Sequence, residues 1–70
     1  MQTSITLSLN GETKTYPAPL SVAELLGLLE LDTRKVAVER NEEIVPRSAY
    51  QQTQLQDGDQ LEIVHFIGGG

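Results

Sequence analysis

The sequence predicts an α+β domain of two layers, a mixed β-sheet with one helix packed on one face. Apolar and polar residues alternate on both sides of an Asn-Gly pair. A helix start with an apolar stripe follows, and the chain closes on its longest β-branched and aliphatic run.

Ile5, Leu7 and Leu9 alternate with Thr6, Ser8 and Asn10, and Asn10-Gly11 then leads into Thr13, Thr15 and Tyr16. This pattern is a β-hairpin, because both central residues of a type I′ turn need positive φ, which Asn tolerates and Gly adopts freely. Pro17 and Pro19 withhold ladder N–H groups and end the second strand. Ser21 stands three residues before Glu24, a capping box in which each side chain satisfies an orphan N–H, so a helix begins near Val22. Val22, Leu25, Leu26 and Leu29 follow the i, i+3, i+4, i+7 spacing and turn one stripe to the sheet, leaving Glu24 and Glu30 in solvent. Gly27 weakens the helix by about 1 kcal/mol relative to Ala, and its end is expected near Leu31.

Val36 and Val38 alternate with Ala37 and Glu39, which places a third strand over 35–40. Ile44-Val45, closed by Pro46, suits a brief edge strand after a turn at Asn41-Glu42. The segment 47–54 is polar around Ala49 and Tyr50 and reads as an irregular or 3₁₀ connection. Asp57-Gly58-Asp59 is a turn, and 61–67 is a central strand. In this ββαβ(β)β order the helix crosses over between the hairpin and the later strands, so the first and last strands lie side by side in parallel. The arrangement is the ubiquitin-like β-grasp, with residues 1–67 as the domain and 68–70 as a flexible glycine tail.

A chain of 70 residues, 39% of them apolar, holds one small core and buries roughly 60% of its unfolded surface. Five Lys plus Arg against ten Asp plus Glu give a charge of 5 − 10 = −5, which disfavours nucleic acid and anionic membranes and fits a basic partner protein. The lack of Cys removes disulfides, thiolate zinc sites and Cys nucleophiles, and His65 alone is too little for a metal site or Ser-His catalysis. No catalytic residue, bound cofactor or metal of its own is therefore expected. Met1-Gln2-Thr3-Ser4 has no basic n-region, and no apolar run nears the ~20 residues that cross a bilayer, which makes the expected location cytoplasmic.

Phe66-Ile67 runs straight into Gly68-Gly69-Gly70. Without Cβ atoms this tail is narrow enough to thread into another protein's active site, and its carboxyl is unhindered. A carboxylate is a poor electrophile until a leaving group such as AMP is attached, so the reactive atom is the Gly70 carbonyl carbon. Among side chains, alternation with Leu61 and Ile63 under the helix sends Glu62, Val64 and Phe66 to the uncovered sheet face. Val64 and Phe66 are thereby a candidate docking patch beside the tail. His65 is read as structural or solvent-facing, Asp57 and Asp59 as turn residues lacking the spaced ligands of a calcium loop, and Arg47 is left open.

Over nearly its whole length the sequence resembles the ThiS family, the sulfur carriers of thiamine biosynthesis. The resemblance is carried by Asn10-Gly11, Ser21-Val22-Ala23-Glu24-Leu25-Leu26, Val36-Ala37-Val38 with Asn41, Ile44-Val45-Pro46-Arg47, Asp57-Gly58-Asp59 and Leu61-Glu62-Ile63-Val64-His65 leading to Gly69-Gly70. It departs at Gly68, which makes the glycine triple, and at Tyr50, where many relatives have Trp. The resemblance implies a protein co-substrate rather than an enzyme, monomeric when free. An E1-like enzyme would use ATP to adenylate Gly70, a sulfur-donor protein would supply the sulfur of a thiocarboxylate, and thiazole synthase would consume it. Relatives bind through this sheet face, which adds weight to Val64 and Phe66. The alternatives are a carrier like the small subunit of molybdopterin synthase and a ubiquitin-like modifier or interaction domain.

Overall fold

A computed structural model describes residues 3–66. The elements are β1 (Ser4–Leu9), β2 (Glu12–Pro17), α1 (Val22–Leu28), a 3₁₀ turn at Thr33–Lys35, β3 (Val36–Arg40), β4 (Glu43–Val45), a second 3₁₀ turn at Arg47–Ala49, and β5 (Gln60–His65). The sheet runs β2-β1-β5-β3-β4, with β1 and β5 parallel at its centre and the other neighbours antiparallel. This is the expected mixed sheet with one face under the helix and the last strand in the middle.

Alternation builds the core. Ile5, Leu7 and Leu9 of β1, Val36 and Val38 of β3, Val45 of β4 and Leu61 of β5 all point to one face, where Val22, Leu25 and Leu26 of α1 meet them. The β1–β2 turn has Asn10 at φ 50° and Gly11 at φ 84°, the paired positive angles of a type I′ hairpin. Ser21 caps α1 as expected: its hydroxyl accepts from Glu24 N–H at 3.0 Å while Glu24 Oε1 accepts from Ser21 N–H at 2.8 Å.

The helix ends at Leu28 rather than near Leu31. Glu30 N–H donates to Gly27 O and Leu31 N–H to Leu26 O, both at 3.0 Å, with Glu30 at φ 59°. These are the bonds of a Schellman motif closed on a glutamate instead of a glycine. Leu29 and Leu31 still pack on the core after the helix has stopped, which is why the apolar spacing runs past its end. The third strand begins at Val36 rather than residue 35, because the Asp32 carboxylate takes the Arg34 N–H at 2.9 Å and winds 33–35 into a 3₁₀ turn.

Tyr50, read as part of a polar connection, is 4% exposed and belongs to the core, its hydroxyl donating to Val36 O at 3.5 Å. The turn before β5 is sewn to β1. Thr6 N–H donates to Asp57 Oδ1 at 2.7 Å, Gly58 N–H to Thr6 O at 2.8 Å and Ser8 N–H to Asp59 O at 3.0 Å. The strand expected over 61–67 is observed as Gln60–His65, and Ile67 lies outside the described residues.

Candidate functional site

On β5, Leu61 is buried beneath the helix while Glu62 and Val64 are exposed, as is Phe66 just after the strand. Ile63, placed under the helix by alternation, is only half-buried there, because α1 stops short of it and leaves a shallow groove bordered by Leu29, Leu31 and His65. Val64 is 58% and Phe66 47% exposed. Val64 stands in the ladder opposite Ala37 and Phe66 just past the end of β5, where Phe66 N–H, donating to Lys35 O at 2.8 Å, ties the chain to the start of β3. Gly68, Gly69 and Gly70 lie outside the described residues.

Ile44 on β4 is 65% exposed, and sequence reasoning passed over it. The signal was present, because Ile44 alternates with buried Val45 and so must face away from the helix.

In the turn beside β5, the Asp59 carboxylate is committed to protein donors. Asp59 is buried and its carboxylate accepts from Arg40 Nε at 2.8 Å, Asn41 Nδ2 at 3.0 Å and Gln56 N–H at 2.8 Å. Burial alone would raise its pKa, but these donors outweigh that and hold the carboxyl below its ordinary value. At Asp32, hydrogen bonds from the Arg34 side chain and backbone lower the pKa to about 2. Among the described residues no three His, Cys, Asp or Glu side chains are grouped to hold a metal. His65 is exposed at the edge of the shallow groove. Arg47, left open by the sequence, donates through Nε to Thr33 O at 3.1 Å and through Nη2 to Arg34 O at 3.3 Å, so it braces the turn before β3. No helix among the described residues is long and apolar enough to cross a membrane.

The sequence profile of the ThiS family matches residues 7–70. A sulfur carrier protein ThiS of Bacillus subtilis is 40% identical over 65 residues, covering 91% of this chain and 98% of that protein. A thiazole synthase of Paramagnetospirillum magneticum is 59% identical over 64 residues, covering 91% of this chain and 20% of the synthase. The chain thus spans about a fifth of the length of that relative. The crystal structure of the thiamine biosynthesis protein ThiS of Geobacter metallireducens superposes with a TM-score of 0.80 at 38% identity, covering 94% of this chain and all of that one. The chain belongs to the ThiS family, the family of the sulfur carrier proteins of thiamine biosynthesis.

Proposed function

We propose that this chain carries sulfur as a thiocarboxylate on Gly70 and hands it to thiazole synthase. The supporting observation is that the family match runs through Gly70 on a β-grasp that exposes Val64 near the end of its last strand and Phe66 just after it. A Gly70 carboxylate oxygen attacks the α-phosphorus of ATP in an E1-like enzyme, and pyrophosphate leaves. Sulfur at the level of hydrosulfide, delivered by a donor protein, then displaces AMP from the acyl carbon. The chain is the co-substrate of these steps, and ATP belongs to the activating enzyme.

Val64 and Phe66 are the docking contacts for the adenylating enzyme and for thiazole synthase. In the Paramagnetospirillum relative a stretch similar to this chain is part of a thiazole synthase polypeptide, which favours thiazole synthase over molybdopterin synthase as the customer. Incubation with the adenylating enzyme, ATP and a sulfur donor, followed by intact-protein mass spectrometry, is expected to show one oxygen exchanged for one sulfur, with fragmentation placing it at Gly70. Sulfur located on any other residue would overturn the proposal.

A further inference from the structure

In the ladder between β3 and β5, Glu39 stands directly opposite Glu62. Both are exposed on the sheet face away from the helix, and Cβ atoms of directly opposed residues lie about 4.5–5.5 Å apart. Like charges in that position destabilise a sheet. The ion pairs among the described residues are Lys14–Glu12, Arg34–Asp32 and Arg40–Asp59, and none of them involves Glu39 or Glu62. The basic side chain next in sequence, Arg40, is committed to Asp59 at 2.8 Å.

Exposed Gln60 lies beside Glu62 on the β1 side of the pair, and the rest of its border is apolar. On its other side Glu39 faces Ile44 of β4, and one row further along β5 Val64 faces Ala37, with Phe66 beyond. Two unneutralised carboxylates thus adjoin exposed Ile44 across the ladder and exposed Val64 and Phe66 further along the chain.

We propose that Glu39 and Glu62 form a receptor for a single cationic side chain of the docking partner, an arginine set within an apolar surface. The fork of a guanidinium serves two carboxylates at once, while the surrounding apolar surface covers Ile44, Val64 and Phe66. A second copy of this chain does not fit, because it would bring four carboxylates together between molecules of charge −5 each. An anionic lipid surface is repelled for the same reason. The inference rests on the carrier reading and adds to it the residues that choose the partner by charge.

The test titrates the adenylating enzyme of the pathway with wild-type chain, the double variant Glu39→Gln/Glu62→Gln, and Phe66→Ala, each at low and high salt. The double variant is expected to melt higher, since the repulsion is gone, yet to bind about tenfold more weakly at low salt with a flattened salt dependence. Phe66→Ala is expected to bind more weakly with the salt dependence unchanged. A double variant that binds like wild type at both salt levels overturns the charge receptor, and weakened binding by Phe66→Ala would then leave the docking face standing. If both variants bind like wild type while Gly70 still gains sulfur, the face is not used and the carrier function survives. If wild-type chain neither binds nor gains sulfur, the carrier reading itself fails.

Discussion

The side-chain amide of Asn10 stands beside Ile63 as if it were another residue of β1. Ile63 N–H donates to Asn10 Oδ1 at 2.8 Å, and Asn10 Nδ2 donates to Ile63 O at 3.2 Å. The parallel pairing of β1 with β5 otherwise covers Ser8 with Gln60 and Leu9 with Leu61. One side chain therefore serves two ends, taking the positive φ that turns the hairpin and extending the central ladder towards Val64 and Phe66.

Replacing Asn10 with Gly keeps a residue at ease at φ 50° and removes only the amide. Two hydrogen bonds worth about 1 kcal/mol each are lost, partly recovered by water. Asn10→Gly is expected to lower stability by roughly 1–2 kcal/mol and to speed hydrogen exchange at the Ile63 amide. Unchanged protection at Ile63 would show that the Asn10 amide is not what shields that N–H from solvent.

Neighbouring positions on and just after β5 should separate packing from recognition. Leu61 is 1% exposed, and Leu61→Ala is expected to cost roughly 2–5 kcal/mol. Ile63→Ala should cost less, because that side chain is half-buried beyond the helix end. Phe66→Ala should leave the melting temperature almost unmoved, as a half-exposed ring loses little on truncation. Thermal melts of the three variants check the ranking, and a Phe66→Ala melt as low as that of Leu61→Ala would place Phe66 in the core.

Elements coded by neighbours in sequence were legible before the fold was known. The Asn10-Gly11 turn needs two adjacent residues, and the Ser21–Glu24 cap spans one helical turn. What stayed hidden depends on partners far along the chain. The Asn10 amide meets Ile63 across 53 positions, and Asp59 meets Arg40 across 19. No spacing rule marks such pairs, so Asn10 and Asp59 read as turn residues alone. Tyr50 was hidden for another reason: it lies in a mostly polar stretch outside any periodic element, and its burial comes from joining the core cluster, its hydroxyl on Val36 O. On the sheet face away from the helix, Val64 and Phe66 were found exposed as alternation required, while Ile44 was missed because β4 is only three residues long.

Glu30 offers a gain in stability. It is an exposed L-residue at φ 59°, closing the Schellman motif where glycine is preferred, and an acidic side chain at a helix C-terminus is unfavourable as well. The left-handed conformation costs an L-residue about 1–2 kcal/mol, part of which returns as extra freedom of Gly in the unfolded chain. Glu30→Gly is expected to stabilise by roughly 0.5–1 kcal/mol, or about 2–8 °C in melting temperature for a domain of this size. A lower melting temperature would mean that the Glu30 side chain makes a contact worth more than the strain.

Asp59 should govern how the domain responds to acid. In the folded state its carboxyl lies below the ordinary 3.8, although burial pushes the other way, because Gln56 N–H, Arg40 and Asn41 all donate to the charged form. The unfolded chain therefore takes up a proton at Asp59 before the folded chain does as pH falls. The stabilisation is fully present above the unfolded pKa, starts to fade from about pH 5, and is lost as pH drops through the folded value. Above that window Asp59 contributes no pH dependence. Asp59→Asn removes the charge-assisted bonds to Arg40 and the Gln56 N–H and is expected to cost roughly 2–3 kcal/mol at neutral pH. Its urea midpoint should then decline less steeply than that of wild type between about pH 5 and pH 2, a residual slope remaining from Asp32, whose pKa is held near 2. Parallel wild-type and variant curves across that interval would show that Asp59 is as easily protonated folded as unfolded, and that the network around it is held by hydrogen bonds indifferent to its charge.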